Sequence, residues 1–195
     1  MAYGMKKDFY GAVRALCMEI REKNERMPVT DTLMKLMDIE DLPMHSPVHH
    51  VIVPAAFLTQ AAIEEEISEK EFQSWLSKAE MRGKSIPGGV CGECGACGAG
   101  IGIGIFLSVF YGTTPKSEET WKFANQATSH ALMDIAEYGG PRCCKRTSFL
   151  AVTRSLDFIN EKCGLHLSAE ENLKCKYHHR NEECLGEKCP FYSKG

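Results

Sequence analysis

Residues 88–112 read GGVCGECGACGAGIGIGIFLSVFYG, a cysteine loop followed by an apolar, glycine-rich stretch. Cys91, Cys94 and Cys97 are spaced by two residues each, and the glycines between them permit positive φ and let backbone N–H groups approach sulfur. Iron–sulfur clusters and zinc both prefer thiolate ligands. The stretch therefore predicts a soft-metal loop, and the length of residues 98–111 predicts a helix after it.

The spacing of the three cysteines favours an iron–sulfur cluster, most simply [4Fe–4S]. Ferredoxin-type clusters use such a C-x2-C-x2-C run and take a fourth cysteine from elsewhere. Zinc is the alternative cofactor, although it is usually bound by paired C-x2-C knuckles. The glycines of residues 98–104 do not indicate a dinucleotide-binding turn, because no predicted strand precedes them. We interpret them as positions of close helix packing.

Two adjacent cysteines, Cys143 and Cys144, follow the residues GGPR and precede a predicted helix. The positive end of that helix and the basic flanking residues favour thiolates. Because adjacent side chains diverge in a helix, we expect the two sulfurs to serve different sites. One of the two, Cys143 or Cys144, is expected to be the fourth ligand of the Cys91 cluster, and the other a ligand of a second metal site or a reactive thiol, with Cys144 as the catalytic candidate.

Residues 168–195 form a polar tail that contains Cys175, Cys184 and Cys189. This set is one ligand short of four. His178 or His179 would complete a Cys3His zinc site, and the second member of the vicinal pair would complete an all-cysteine site. Because the tail is too polar to pack unaided, we expect metal to order it against the body, near the first site.

His49 and His50 lie in the run MHSPVHH at residues 44–50. Imidazoles beside a metal serve as ligands or proton shuttles. The two side chains point to different faces of a predicted helix, so at most one is expected to face the site. Together with Cys144 they are the candidate catalytic residues.

Apolar periodicity predicts an all-α fold, a single helical bundle over residues 1–167 with the metal-binding loops at one end and the tail of residues 168–195 packed on it. Helices are predicted over about residues 8–25, after residue 31, and over 48–67, 68–84, 98–111, 117–138 and 145–162. The third is expected to be interrupted or kinked by Pro54. The predicted core includes Phe9, Leu16, Val51, Phe57, Trp75, Trp121, Leu132, Ile135 and Phe149.

The 195 residues, with a net charge of −3, have the composition of an ordinary soluble domain. The ten cysteines and the absence of an apolar signal region predict a cytoplasmic protein with metal or redox chemistry rather than disulfides. The longest apolar stretch is too short and too rich in glycine to span a bilayer, so no membrane association is expected. No basic stripe with interleaved aromatics indicates nucleic acid binding.

The runs GGVCGECGACGAGIGIGIF at residues 88–106 and GGPRCCKRTSFLA at residues 139–151 resemble a domain family of unknown function. That family occurs in anaerobic bacteria and methanogenic archaea, and some members carry the domain behind a methyltransferase-like region. The resemblance spans roughly residues 43–192. It implies metal-rich anaerobic chemistry and a redox or methyltransferase-type partner protein, and it leaves the reaction and the oligomeric state open.

Three classes of function fit these patterns. The first is an iron–sulfur protein of anaerobic redox, sulfur or methyl-group metabolism, whose enzymatic form would use an exchangeable cluster position, a vicinal thiolate and a histidine as acid or base. The second is a non-catalytic module that zinc stabilises and that binds a partner protein. The third is a metal or sulfur carrier with exposed vicinal thiols. A brown colour after anaerobic purification separates the first class from the second.

Overall fold

The computed structural model describes residues 7–193, and the fold is helical. The helices of this range are α1 (Phe9–Glu22), α2 (Val29–Met37), α3 (His49–Glu64), α4 (Glu69–Lys84), α5 (Val90–Glu93), α6 (Gly98–Phe110), α7 (Glu119–Tyr138) and α8 (Cys144–Cys163), followed by the 3-10 turns His178–Arg180 and Gly186–Lys188. The described residues form no β-strand, and a single isolated bridge pairs Cys175 with Tyr192. The predicted all-α fold is confirmed.

Two apolar helices, α3 and α6, form the centre of the bundle. Nearly every residue of α3 is buried, and α6 is buried along most of its length. Helices that are hydrophobic all round are enclosed by others. Accordingly, α1, α2 and α4 pack on α3, while α7 and α8 pack on α6. In the part of the chain described, no helix is both long and apolar enough to cross a membrane.

The glycines of α6 allow its two neighbours to approach closely. Gly98 and Gly102 face α3, whereas Gly100 and Gly104 face α7. A Cβ atom added at Gly100 would lie 2.8 Å from the Leu132 side chain, closer than real Cβ atoms approach a neighbour. The interpretation of these glycines as close-packing positions is confirmed, and α6 is held between α3 and α7.

Several helix boundaries follow from local signals in the sequence. Ser68 accepts a hydrogen bond from the Glu71 amide at 3.3 Å and begins α4, while Asp8 caps α1 in the same way. Gly164, in the left-handed region, ends α8. Of the two outcomes expected at Pro54, the interruption is wrong, because α3 continues through this residue, and the kink stays a prediction.

The predicted burial of Trp121 is wrong, since 49% of this residue is exposed. α7 meets the core through Ala124, Ala127 and Ala131, because its close approach to α6 leaves room only for small side chains. Of the other predicted core residues, Val51, Phe57, Trp75 and Phe149 are buried, and Phe9, Leu16, Leu132 and Ile135 are partly buried.

The tail packs on α2, on the segment after it and on α8. The Val29 amide donates to the Ser168 carbonyl at 2.8 Å, and the Tyr177 hydroxyl donates to Asp38 Oδ1 at 2.9 Å. Phe191 stacks edge-on against Phe149 of α8, with ring centroids 5.3 Å apart. Leu173, Tyr177 and Phe191 are all buried. The tail thus packs on the body through apolar residues as well as hydrogen bonds, and its ordering by metal stays a prediction.

Candidate metal centres

A cavity of about 600 Å3 lies where α3, α6 and α8 begin, and we call it the loop cavity. Its lining includes Cys91, Cys97, Cys143, Cys144, His49 and His50. Cys94 is exposed and does not line it. The fold thus brings two of the three loop cysteines, both vicinal cysteines and both candidate histidines to one cavity. The expectation that only one histidine faces the site is wrong.

The cysteine loop takes its shape from two glycines in the left-handed region. Gly89 has φ 91° and starts the short helix α5, which carries Cys91, and Gly95 has φ 68° and follows Cys94. The chain then reaches Cys97, the residue that precedes α6. Residues other than glycine rarely adopt these backbone angles. The two glycines therefore fix the turns that bring Cys91 and Cys97 to the cavity.

The loop cavity is electropositive. The N-termini of α3 and α6, neither capped by a side chain, border it, as does the first turn of α8. Arg142 and Arg146 also line it, whereas Glu93 is the one carboxylate of the lining. Helix N-termini and cations both favour negative charge. The cavity therefore favours thiolates and an anionic group held by them.

Two buried cations flank the vicinal cysteines. Lys145 is 0% exposed and Arg146 is 3% exposed, and within residues 7–193 neither forms an ion pair with a carboxylate. The Arg146 guanidinium donates to the carbonyls of Gly139 and Pro141 at 2.8 Å each. Burial lowers the pKa of Lys145 to about 8. Because an uncompensated buried charge is destabilising, these cations favour anionic sulfur nearby.

His49 presents a neutral imidazole with one free nitrogen. It is 1% exposed, its Nδ1 lies 3.0 Å from the Ser46 carbonyl oxygen, and its Nε2 has no hydrogen-bond partner. Because a carbonyl only accepts, the proton is on Nδ1 and the lone pair on Nε2. Burial lowers the pKa of His49 to about 3. A neutral imidazole that donates from one nitrogen to a backbone carbonyl and leaves the other unpartnered is typical of histidines that bind a metal.

His50 lies against the first residue of α6. A Cβ atom at Gly98 would overlap its imidazole ring, so glycine is required there for His50 to keep its position. The His50 Nδ1 has no partner, and burial lowers the pKa of this residue. Two buried imidazoles, each with one unpartnered nitrogen, thus line the loop cavity.

A second, enclosed void of about 10 Å3 lies between α8 and the tail, and we call it the tail pocket. Its lining includes Cys143, Cys175, Cys184, Cys189 and His178, together with the apolar residues Met44, Phe149, Leu185 and Phe191. Cys143 borders both spaces, whereas Cys144 borders the loop cavity alone. His179 is exposed and lines neither space.

Each cysteine of the tail pocket accepts a backbone hydrogen bond on sulfur. The Arg146 amide donates to Cys143 and the Gly186 amide to Cys184, each at 3.4 Å. The Tyr177 backbone donates to Cys175, and the Phe191 backbone donates to Cys189. Burial raises the pKa of Cys175 and of Cys189, and these hydrogen bonds oppose that rise. Near the loop cavity, burial raises the pKa of Cys144 to about 11, with a backbone hydrogen bond at Ser46 opposing it. Backbone N–H groups directed at sulfur stabilise thiolates, the form that binds metal.

The sulfurs surround two spaces without converging on a point. Across residues 7–193, no group of three or more His, Cys, Asp or Glu side chains is placed so that it could hold a metal ion. A single ion would therefore require these side chains to move inward. A larger group would instead have to fill the space between them.

His45 is a site residue that the sequence analysis did not select. It lines the loop cavity, and its Nε2 lies 3.2 Å from Oδ1 of Asn181, which lines the tail pocket. A hydrogen bond between two side chains therefore connects the loop cavity with the tail pocket. The signal was present, because His45 belongs to the same short run as His49 and His50.

The chain belongs to the Family of unknown function (DUF5714), whose family model matches residues 13–192. The match begins at residue 13, whereas the sequence resemblance was placed from residue 43 onward. No curated protein and no solved structure matches the chain.

Proposed function

We propose that this protein is an iron–sulfur protein whose reactive centre is in the loop cavity, held by Cys91, Cys97 and Cys144. It would serve redox, sulfur or methyl-group metabolism in an anaerobe. Of the two vicinal cysteines, Cys144 is assigned to this centre because it borders only this cavity, whereas Cys143 also borders the tail pocket.

One observation carries the proposal. Four cysteines, three of them the proposed ligands, line an open, electropositive cavity beside the buried, neutral imidazole of His49, whose Nε2 has no partner. A cluster with its thiolates is anionic, so helix N-termini and buried cations compensate its charge. A site for a single structural zinc would be closed by four ligands and would need no adjoining cavity.

The chemistry expected of the cavity follows from its contents. A bound cluster would supply electron transfer, or a Lewis-acidic iron at a position that the protein leaves free. His49 is neutral, since burial lowers its pKa to about 3, so its unpartnered Nε2 can offer a lone pair to iron or to a substrate but is a weak proton acceptor. A cavity of about 600 Å3 has the size of a small-molecule site. The protein is therefore proposed to act on a small substrate at the cluster.

The test is metal analysis with electronic and EPR spectra of anaerobically purified protein. We expect iron, acid-labile sulfide and a brown colour. The EPR signal of the loop-cavity centre should be lost in C91S, C97S and C144S. The exposed Cys94 provides the internal comparison, and C94S is expected to retain more iron than C91S. Zinc in place of iron, or iron content unaffected by C91S and C97S, would rule out the proposal.

The exposed thiol of Cys94 favours a second candidate, a carrier that transfers metal or sulfur to a partner. As an exposed thiol three residues after Cys91, Cys94 would take the metal from the cysteines that line the cavity and pass it to an incoming thiol. The carrier role predicts rapid loss of metal to a small-molecule thiol acceptor, and that loss should slow in C94S. Metal that stays bound through such a challenge argues for a resident cofactor.

A further inference from the structure

The tail pocket has the composition and enclosure of a second metal centre. Four cysteines line it, and each accepts a backbone N–H on sulfur. The remaining wall is largely apolar, with Met44, Phe149, Leu185 and Phe191. Hydrogen bonds to sulfur and an apolar shell are the features by which proteins hold and tune iron–sulfur clusters.

The size of the pocket distinguishes a cluster from a single ion. The void of about 10 Å3 holds about one water-sized sphere between the residues that line it. Four sulfurs bound to one zinc ion would lie about 2.3 Å from it and would leave no such void. Consistently, no three side chains of the described residues are gathered closely enough to hold a metal ion. The four cysteines therefore surround a small void and do not meet at a single point, which favours a larger group over one ion.

The buried guanidinium of Arg146 supplies a positive charge on this side of α8. It lines the tail pocket as well as the loop cavity, and its side chain has no carboxylate partner in the described part of the chain. A four-cysteine cluster carries net negative charge, so a buried cation beside it is compensated.

We propose that Cys143, Cys175, Cys184 and Cys189 bind a second cubane iron–sulfur cluster, enclosed and fully ligated. Four cysteines satisfy every iron, so this cluster has no position for substrate. It differs in this respect from the centre of the loop cavity, and the peptide unit between Cys143 and Cys144 joins the two. His178 lines the pocket as a neighbour and not as a ligand.

The vicinal pair provides the matched experiment. Full-length C143S and C144S, purified without oxygen, are compared with wild type and with C163S, which alters a cysteine at the far end of α8. Wild type should contain about eight irons per chain, since each cubane carries four. C143S should lose half of the iron together with the EPR signal of the tail cluster, the same signal that a C184S/C189S variant loses. C144S should instead lose the EPR signal of the loop-cavity centre, the same signal that C91S loses.

The outcomes separate this proposal from that for the loop cavity. If C143S and C184S/C189S keep the iron of wild type, or lose zinc instead, the tail cluster is refuted. If C91S and C144S have no effect while C143S loses iron, the tail cluster stands and the loop centre does not. Should the tail variants fail to fold, the wild-type iron content decides, because about four irons per chain with a single EPR signal would refute a second cubane.

Discussion

Lys145 is fully buried next to Cys144, with its ammonium 4.8 Å from the centre of the Tyr177 ring. Such a charge is tolerated when an anion is close to it. In the metal-free protein the neighbouring Cys144 thiol is neutral, because burial raises its pKa to about 11. Lys145 should therefore destabilise the metal-free protein and stabilise the metal-bound protein.

Replacing Lys145 with methionine tests both expectations. K145M is expected to stabilise the metal-free protein by about 1–2 kcal/mol, because it removes an uncompensated buried charge. The same variant should retain less iron than wild type, because an anionic cluster would lose its counter-charge. Urea unfolding and iron analysis measure the two effects. K122M, at an exposed position of α7, is the control, and equal effects of both substitutions would contradict the argument.

Cys17 and Cys163 should be unreactive thiols. Burial raises the pKa of each to about 12, so both remain protonated at pH 8, and only the thiolate is an effective nucleophile. Iodoacetamide treatment at pH 8, followed by mass spectrometry, should leave both unmodified in the folded protein. Both should react after denaturation, when their pKa values return to the ordinary range. Modification of either at the same rate in both states would refute the prediction.

At the scale of elements, α6 links the core to the loop cavity, because its first residue, Gly98, contacts His50 of α3. G98A would place a methyl group within the imidazole ring and is expected to destabilise the protein by about 1–3 kcal/mol. His50 would also be displaced from the cavity, so iron content should fall. G92A is the matched control, because nothing lies within 4 Å of a Cβ atom there. Equal unfolding free energies and iron contents for the two variants would show that the contact is unimportant.

Helices were predictable where a local signal was present. The cap at Ser68 and the stop at Gly164 fixed their boundaries, and the glycines of α6 indicated close packing. Trp121 was assigned to the core because periodicity identifies an apolar face but not the space available to it. The face of α7 was decided by the glycines of α6, which are distant in sequence.

The candidate sites were predictable in composition but not in arrangement. Spacing identified the cysteines, but the order within the vicinal pair depends on how α8 is rotated about its axis, which three-dimensional packing sets. Cys94 follows the spacing rule and yet lies on the exposed side of the loop. The burial of Lys145 and Arg146 could not be predicted from the sequence, because lysine and arginine side chains are usually exposed to water.

At the scale of the whole molecule, the tail connects α2 and α8 and completes the second set of cysteines. Removing metal with a chelator, without oxygen, should expose the tail to trypsin, with cleavage after Lys174 and Lys188, while α3 and α6 stay protected. Because α3 and α6 are enclosed by the other helices and not by the tail, the tail should loosen without the bundle unfolding. Cleavage products followed over time by mass spectrometry measure this order. Simultaneous cleavage in tail and bundle would contradict it.

The vicinal pair also has a consequence for how the protein is made. The sulfurs that line the tail pocket with Cys143 follow it far along the chain, and Cys189 is synthesised 45 residues after Cys144. At ordinary translation rates this delay is on the order of several seconds. During that time every cysteine of the loop cavity has been synthesised while the set of tail cysteines is still incomplete. Cofactor delivery in the cell would then proceed in sequence, with the loop centre loaded first and the tail centre after it.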